Sequence, residues 1–513
     1  MNTFLKPLNC YSGLELESNL EYLRNLRNSC RHFMTRNQNE ITKEEQKIWY
    51  ENIDDSLVPY IYFNIECGSI IYPCGYGVIK YQNNVAFLTG ALEESVRGKG
   101  LGRKIFIDLM NIAKEKSNKI CLEVLETNHR ARKLYESLGF EETQRKNGVI
   151  FLEKQLRSIP LFKVRMSHDA KNLVGEVLES GYIGQGPKVD EFEELLQKEL
   201  NLDVKPITVN SCTSAIDLAL HLIGGGPDDE VISTPQTCFA SQVGAINRKA
   251  KIRWADINPI TGCIDVESVK KLITNKTKAI IAVNWAGKLC DYKTLKSYGV
   301  PVIEDAAHSW DVFDKNNNER GDYVCYSFQA IKFLTCGDGG LLITPREKEE
   351  DARLLRWYGL DRTKNESFRC TQNIKVAGFK YHMNDISASI GISNLSLAKD
   401  SVKKHRENAK YLISHIKNPH IQIPEWDENC SYWILSIHIL NQRKEEFINY
   451  MGSHLISTNP VHYRNDEYDC TADFKENTLP GVNSFTDTQV CIPNGWWLSQ
   501  DDLDYIVKII NTF

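Results

Sequence analysis

From residue 159 onward the chain repeats one unit, a helical stretch followed by a short apolar run, and that rhythm commits it to a mostly parallel sheet. The candidate strands are 230–233, 251–256, 278–284, 301–304, 323–328 and 340–344. A helix over 214–223 is stopped by Gly224, Gly225 and Gly226. From about Asp400 a long helix leads into a smaller α/β region that ends with a helix over 502–510. The segment 77–153 has a different order, β–β–loop–helix–β–helix–β, with strands at 85–90, 120–125 and 150–152. Its central helix places Ile105, Phe106, Leu109, Met110 and Ala113 on one face. Residues 14–36 and 43–52 read as helices. The polar seam 155–158 divides the two patterns, which sets domains at 1–157 and 158–513, the second with a large lobe (about 158–400) and a small one (about 401–513).

A chain of 513 residues exceeds what one core supports, so two or three domains are expected. A net charge of -5 gives no electrostatic reason for nucleic acid or an anionic membrane as the main partner. Residues 1–13 lack the blocks of a secretory signal, and the best apolar run, 279–283, is only strand-sized. The 15 cysteines are odd in number and without CxxC spacing, which points to reduced thiols in a cytoplasm rather than disulfides or a metal site.

Two constellations carry chemistry. In the first, Arg97-Gly98-Lys99-Gly100-Leu101-Gly102 lies between a strand and a helix N-terminus, where free N–H groups and the helix dipole favour a pyrophosphate. It is followed by Asn128, Ala131, Tyr135, Gly139 and Phe140 in N-x-x-A-x-x-x-Y-x-x-x-G-F spacing. Together these resemble the GCN5-related N-acetyltransferase (GNAT) family over roughly residues 60–155. The resemblance implies that the backbone of Arg97 to Gly102 binds coenzyme A, that Asn128 contacts its pantetheine arm, and that Tyr135 protonates the departing thiolate. A tyrosine at that place also serves simply to pack a helix on a sheet. Glu93 and Glu94 are candidates for the base.

In the second, Ser211-Cys212-Thr213-Ser214 enters a helix, Phe239 follows a strand, Asp305 ends a strand, and Lys332 lies five residues beyond Ser327. With 180–187 and 378–383, this set resembles the DegT/DnrJ/EryC1/StrS family, a branch of the aspartate aminotransferase (type I) fold. The resemblance implies pyridoxal phosphate (PLP) carried on Lys332, Asp305 paired with its pyridinium, His308 near the ring hydroxyl and Phe239 stacked on the ring. By the same resemblance Ser211, Cys212, Thr213 and Ser327 are expected to hold the phosphate. It also implies a homodimer in which Lys380 reaches the neighbouring cofactor. Two residues depart from the family pattern: Cys212 stands where glycine is usual, and Lys380 replaces a common asparagine.

The combined resemblance implies two consecutive steps. A UDP- or dTDP-linked 4-keto-6-deoxy sugar receives nitrogen from glutamate, and acetyl-CoA then acetylates the 4-amino sugar. Amination of a 3-keto sugar, with acetylation of a different amine, is the competing enzyme reading, and a cofactor-binding regulator is the competitor from another class.

Overall fold

The computed structural model describes residues 2–66, 70–83, 85–156, 158–310, 320–362, 371–475 and 478–513, and divides into two compact units, Met1–Ser158 and Ile159–Phe513.

The first unit is a seven-stranded sheet in the order β1-β2-β3-β4-β5-β7-β6. The strands are β1 (Asn2–Pro7), β2 (Leu57–Glu66), β3 (Ile70–Gln82), β4 (Val85–Leu92), β5 (Lys119–Leu125), β6 (Glu141–Lys146) and β7 (Val149–Gln155). All neighbours are antiparallel except β4 and β5. That parallel pair is joined only from Val85–Lys119 to Phe87–Cys121, although β4 runs on to Leu92 and β5 to Leu125. Beyond Phe87 the two strands part. The helix Leu101–Ala113 buries the expected apolar face against the sheet. Gly77 makes room for it: a Cβ there would lie 2.7 Å from Leu109 Cδ1.

The expected helix over 14–36 is observed as Gly13–Ser29, followed by a single 3-10 turn, Arg31–Phe33. The Asn28 side chain explains the stop, since it donates to the Ile41 carbonyl (2.9 Å) and accepts from the Ile41 amide (3.0 Å), folding the chain back. Such local side-chain bonds compete with helix continuation.

The second unit holds a sheet in the order β10-β9-β11-β12-β13-β14-β8. Its strands are β8 (Ile207–Val209), β9 (Glu230–Ser233), β10 (Lys251–Trp254), β11 (Thr277–Val283), β12 (Val302–Asp305), β13 (Tyr323–Ser327) and β14 (Gly340–Ile343). Only β14 is antiparallel to its neighbours. Strands β9, β11 and β12 are buried along nearly all their length, as sheets covered on both faces require. The long helix starts at Asp385, not near Asp400, and runs to His415, with the Asn384 side chain accepting from the Ser387 amide at 2.8 Å. A small antiparallel sheet of β15 (Ile421–Gln422), β16 (Leu435–Ile439) and β17 (Gln489–Ile492) packs with the helices Lys444–Ser453 and Gln500–Thr512.

Strand β14 passes directly against the turn that begins the helix Cys212–Ile223. A Cβ on Gly340 would lie 2.5 Å from the Ser211 carbonyl carbon and 2.6 Å from the Cys212 nitrogen, both backbone atoms that cannot swing away. Gly340→Ala is therefore expected to destabilise the second unit by about 1–3 kcal/mol, the usual cost of overpacking, read as a lower urea midpoint. An unchanged midpoint would show that the turn yields freely.

Candidate active sites

In the first unit the parting of β4 and β5 opens a cavity of about 960 Å³. Gly98, Gly100, Gly102, Asn128 and Tyr135 line it together, as the motif spacing leads one to expect. Gly98 (φ 87°) and Gly100 (φ 81°) occupy left-handed backbone that suits only glycine. Their turn precedes the helix Leu101–Ala113, whose Leu101 and Gly102 amides have no intrahelical acceptor, while the Arg103 amide donates to the Gly100 carbonyl at 3.1 Å. The Arg97 amide differs from the expectation: it is bonded to the Glu94 carbonyl at 3.2 Å, so the run of free donors starts at Gly98. The Arg97 side chain is also engaged, with Nε donating to the Leu92 carbonyl (2.9 Å) and Nη2 to Cys30 Sγ (3.0 Å). Lys99 is exposed and Leu101 buried.

Asn128 caps the helix His129–Ser137, its Oδ1 accepting from the Ala131 amide at 3.2 Å. That leaves its amide nitrogen for a ligand. Tyr135 is almost fully buried between Phe106 (ring centres 5.0 Å apart) and Phe140 (6.0 Å), and burial raises its phenol pKa, so the proton is retained until an anion appears nearby. Glu93 and Glu94 do not line the cavity.

In the second unit the loops leaving β8, β9, β12 and β13 converge at the C-terminal edge of the parallel strands, where open α/β sheets bind ligands. Asp305 ends β12. Its buried carboxylate accepts from Ser241 Oγ (2.7 Å) and the Ala307 amide (3.1 Å). Burial raises its pKa, against the opposing pull of those two donors. Lys332 lies with Nζ 3.6 Å from the centre of the Trp433 ring, and burial lowers its pKa to about 8, against the opposing effect of Asp305. His308 is stacked on Trp433 (4.0 Å, 20°), and burial, then Lys332 and His462, hold it well below the ordinary imidazole range. Its Nδ1 is buried without a hydrogen-bond partner among the described residues, a polar atom that a ligand would satisfy.

Ser211 caps the helix Cys212–Ile223 through a 3.1 Å bond to the Ser214 amide, leaving the Cys212 and Thr213 amides at the first helical positions free to bind an anion. The Cys212 side chain does not obstruct them. Its thiol points into the core, 3.6 Å from the Cys325 carbonyl and 3.9 Å from Asp305 Oδ1. Ser327 ends β13, and Phe239, half-buried, meets Tyr468 edge-on at 5.3 Å. Lys380 stands apart from this group: it is exposed, and its carbonyl accepts from Asn210 Nδ2 at 3.3 Å. An anion turn, a buried carboxylate, an orphaned imidazole nitrogen and a low-pKa amine together fit pyridoxal phosphate.

Residues 164–511 match the model of the DegT/DnrJ/EryC1/StrS aminotransferase family. The chain belongs to that family. Residues 20–140 match the model of the acetyltransferase (GNAT) family, so an acetyltransferase domain precedes the aminotransferase and the chain is a transferase. Among solved structures it is similar to AtS13 from Actinomadura melliaura, with 35% identity and a TM-score of 0.66 over 70% of this chain and 99% of that one. It is also similar to the sugar aminotransferase CalS13 from Micromonospora echinospora, with 30% identity and a TM-score of 0.64 over 69% and 99%. Of the curated relatives, the spore coat polysaccharide biosynthesis protein SpsC of Bacillus subtilis is 29% identical over 360 residues, 66% of this chain and 92% of its own.

Ser241, Trp433 and His462 also stand in this site, and the sequence motifs do not include them. His462 Nε2 lies 3.4 Å from His308 Nε2. Trp433 and His462 arrive through packing across more than a hundred residues of chain, and no local pattern marks them. Ser241, by contrast, lies only two residues after Phe239.

The lowered Lys332 pKa has a direct consequence. Only the neutral amine is a nucleophile, and that fraction grows as pH rises through the pKa. In the cofactor-free protein, modification of Lys332 by trinitrobenzenesulfonate, followed by peptide mass spectrometry, is expected to accelerate with a midpoint near pH about 8. Exposed lysines should follow at about 10.4. A Lys332 midpoint in that higher range would contradict the burial argument.

Proposed function

We propose that the chain is a bifunctional nucleotide-sugar enzyme that aminates a UDP- or dTDP-linked 4-keto-6-deoxy sugar with glutamate and then acetylates the new amine from acetyl-CoA. One observation carries the reading: a single chain holds the low-pKa amine Lys332 beside the buried Asp305, and also the cavity between β4 and β5 that Tyr135 lines. The sugar is supported by the likeness to CalS13, and the glycan context by the likeness to SpsC.

Pyridoxal phosphate, when bound, supplies a carbonyl that can carry an amine and a ring that accepts electrons. Lys332 would hold that carbonyl and then move a proton at its Nζ. Asp305 would keep a proton at the ring nitrogen, His308 would hydrogen-bond the ring hydroxyl and Phe239 would cover a ring face. Ser211, Ser327 and the Cys212 and Thr213 amides bind the phosphate, to which Lys380 contributes from a second subunit. In the first unit the amides from Gly98 to Gly102 bind the coenzyme A pyrophosphate, Asn128 orients the pantetheine arm, and Tyr135 gives its proton to the leaving thiolate.

The order of the two steps follows from nitrogen chemistry. Acetyl transfer needs an amine lone pair, which a keto sugar lacks, and an acetylated nitrogen cannot return to the first site because its lone pair is delocalised. Acetylation therefore traps the product of a reversible amination. Placing both sites in one chain raises the effective concentration of the amine at the second.

With keto sugar and glutamate alone, the protein should stop at an equilibrium mixture. Adding acetyl-CoA should drive it on, with thiol released in step with 2-oxoglutarate. Lys332→Ala should abolish 2-oxoglutarate formation yet still acetylate supplied amino sugar, whereas Tyr135→Phe should slow thiol release about 10²-fold or more and let amino sugar accumulate. 2-Oxoglutarate without any thiol would show that the first unit acts on something else.

Assembly is part of the proposal. Tyr182 (74% exposed), Ile183 (52%) and Val376 (55%) are large apolar residues left at the surface of the aminotransferase unit. We read them as part of the surface that a second subunit covers. We expect a homodimer through residues 159–513, and light scattering of an active monomer would refute it.

A further inference from the structure

Among the described residues that line the cavity of the first unit, Glu123 is the one carboxylate, and their charged side chains are otherwise basic, with Arg27, Lys80, Arg103 and Arg130 among them. The alternation of β5 fixes its direction. Gly90 of β4 faces Phe106 of the helix Leu101–Ala113, and on β5 Ile120, Leu122 and Val124 are the buried residues of that face. Phe87 of β4 pairs with Cys121 of β5, so Phe87, Thr89, Cys121 and Glu123 belong to the opposite face. Tyr135 packs on Phe106. Glu123 and Tyr135 thus stand on opposite sides of the slot where β4 and β5 part, two residues beyond the last paired position.

The carboxylate is only 15% exposed, but its partner is not. Arg36 binds it in a two-pronged pair, Nε at 3.2 Å, from a side chain that is 77% exposed, and Thr35 Oγ1 donates at 3.0 Å. Arg36 lies in the segment after the Gly13–Ser29 helix and is a surface cation resting on a recessed anion. With its side chain 77% exposed, the Arg36 guanidinium returns to water at little cost when it leaves, so another cation can take its place.

We propose that Glu123 is the residue that receives the acceptor amine: the incoming ammonium displaces Arg36 from its carboxylate and is held on the face of the slot opposite Tyr135. This rests on reading the first unit as an amine acetyltransferase. The ammonium first gives one proton to Glu123, which frees a lone pair; the nitrogen then bonds to the thioester carbonyl carbon and the carbon–sulfur bond breaks. Of the two protons the nitrogen sheds, one leaves through Glu123 to solvent, and the other restores the proton that Tyr135 gives to the thiolate. The Arg36 guanidinium beside it holds the Glu123 carboxyl below its ordinary range, so it meets the ammonium as an anion.

The test uses the full chain, acetyl-CoA and a panel of separate amines: UDP- and dTDP-4-amino-4,6-dideoxyglucose, spermidine and a tripeptide, with thiol release as the readout. For whichever amine the wild type accepts, Glu123→Gln should lower kcat/KM by about 100-fold or more. Its acetyl-CoA affinity, measured by equilibrium dialysis, should stay within about twofold, which also confirms that the unit is folded. Arg36→Ala should keep or improve the amine KM, because the competitor for the carboxylate is gone. A Glu123→Gln variant within about threefold of wild type overturns the proposal. So does an Arg36→Ala loss parallel to that of Glu123→Gln, which would mean that the pair only pins the segment. Acceptance of spermidine or the tripeptide but neither sugar refutes the sugar reading while still testing Glu123, and acceptance of no amine at all refutes both.

Discussion

The aminotransferase half is organised around a carboxylate and an amine buried together. Removing Asp305 and Lys332 from water penalises both charges, which moves the acid up and the base down toward one another. Leaving either alone in that environment is costly, so the surroundings are built to hold them. Ser241 and the Ala307 amide satisfy one side of the carboxylate, and the Trp433 ring receives the ammonium. Because each of these groups comes from a different segment, the site exists only if β9, β12, β13 and the distant Trp433 loop reach their places together. The close pass of Gly340 over the Ser211–Cys212 turn belongs to the same requirement, since β14 must lie there for β8 to complete the sheet.

The acetyltransferase half depends on a broken pairing instead. Strands β4 and β5 hydrogen-bond for only three residue pairs, and their parting leaves backbone groups that a ligand can meet. A gap in a sheet is unfavourable unless neighbours support both sides. Here the extended antiparallel partners β3 and β7 hold β4 and β5 along most of their length, so the opening costs little order elsewhere.

What the sequence revealed divides along the same physical line. Fully buried strands and glycine-punctuated turns were legible because each demands particular residues locally: β9 was placed at its observed bounds, and Gly224 does end its helix, at φ 89°. Edge elements were not. β1 and the fully exposed β6 carry no alternation, since an edge strand needs only a partner's hydrogen bonds. The long helix starts about fifteen residues before the sequence pattern places it, because Asp385 at its start serves another element. Its carboxylate accepts the Gly186 amide (2.7 Å) and the Val189 amide (3.2 Å) at the head of the helix Pro187–Glu199, a tertiary bond that looks in sequence like a turn residue. The catalytic motifs were readable for the reason the strands were: a phosphate turn or a strand-end acid constrains its immediate neighbours. Trp433 and His462 constrain nothing nearby.

The same reasoning explains why Cys212 can stand where glycine is usual. At the first position of this helix the Cys212 side chain turns into the core, so a small apolar residue is tolerated where the core offers space. The core does: the thiol is buried against the Cys325 carbonyl, and burial, then Asp305, keeps it protonated by raising its pKa far above the ordinary thiol range. A neutral thiol beneath Asp305 adds no charge to a pocket that already holds two. A serine of similar size would bring a stronger hydrogen-bond donor to the same carboxylate and compete with Ser241 for it, whereas sulfur at 3.9 Å makes only a weak contact. The substitution thus fills the space beneath the anion turn while leaving both its amides and the balance between Asp305 and Lys332 undisturbed.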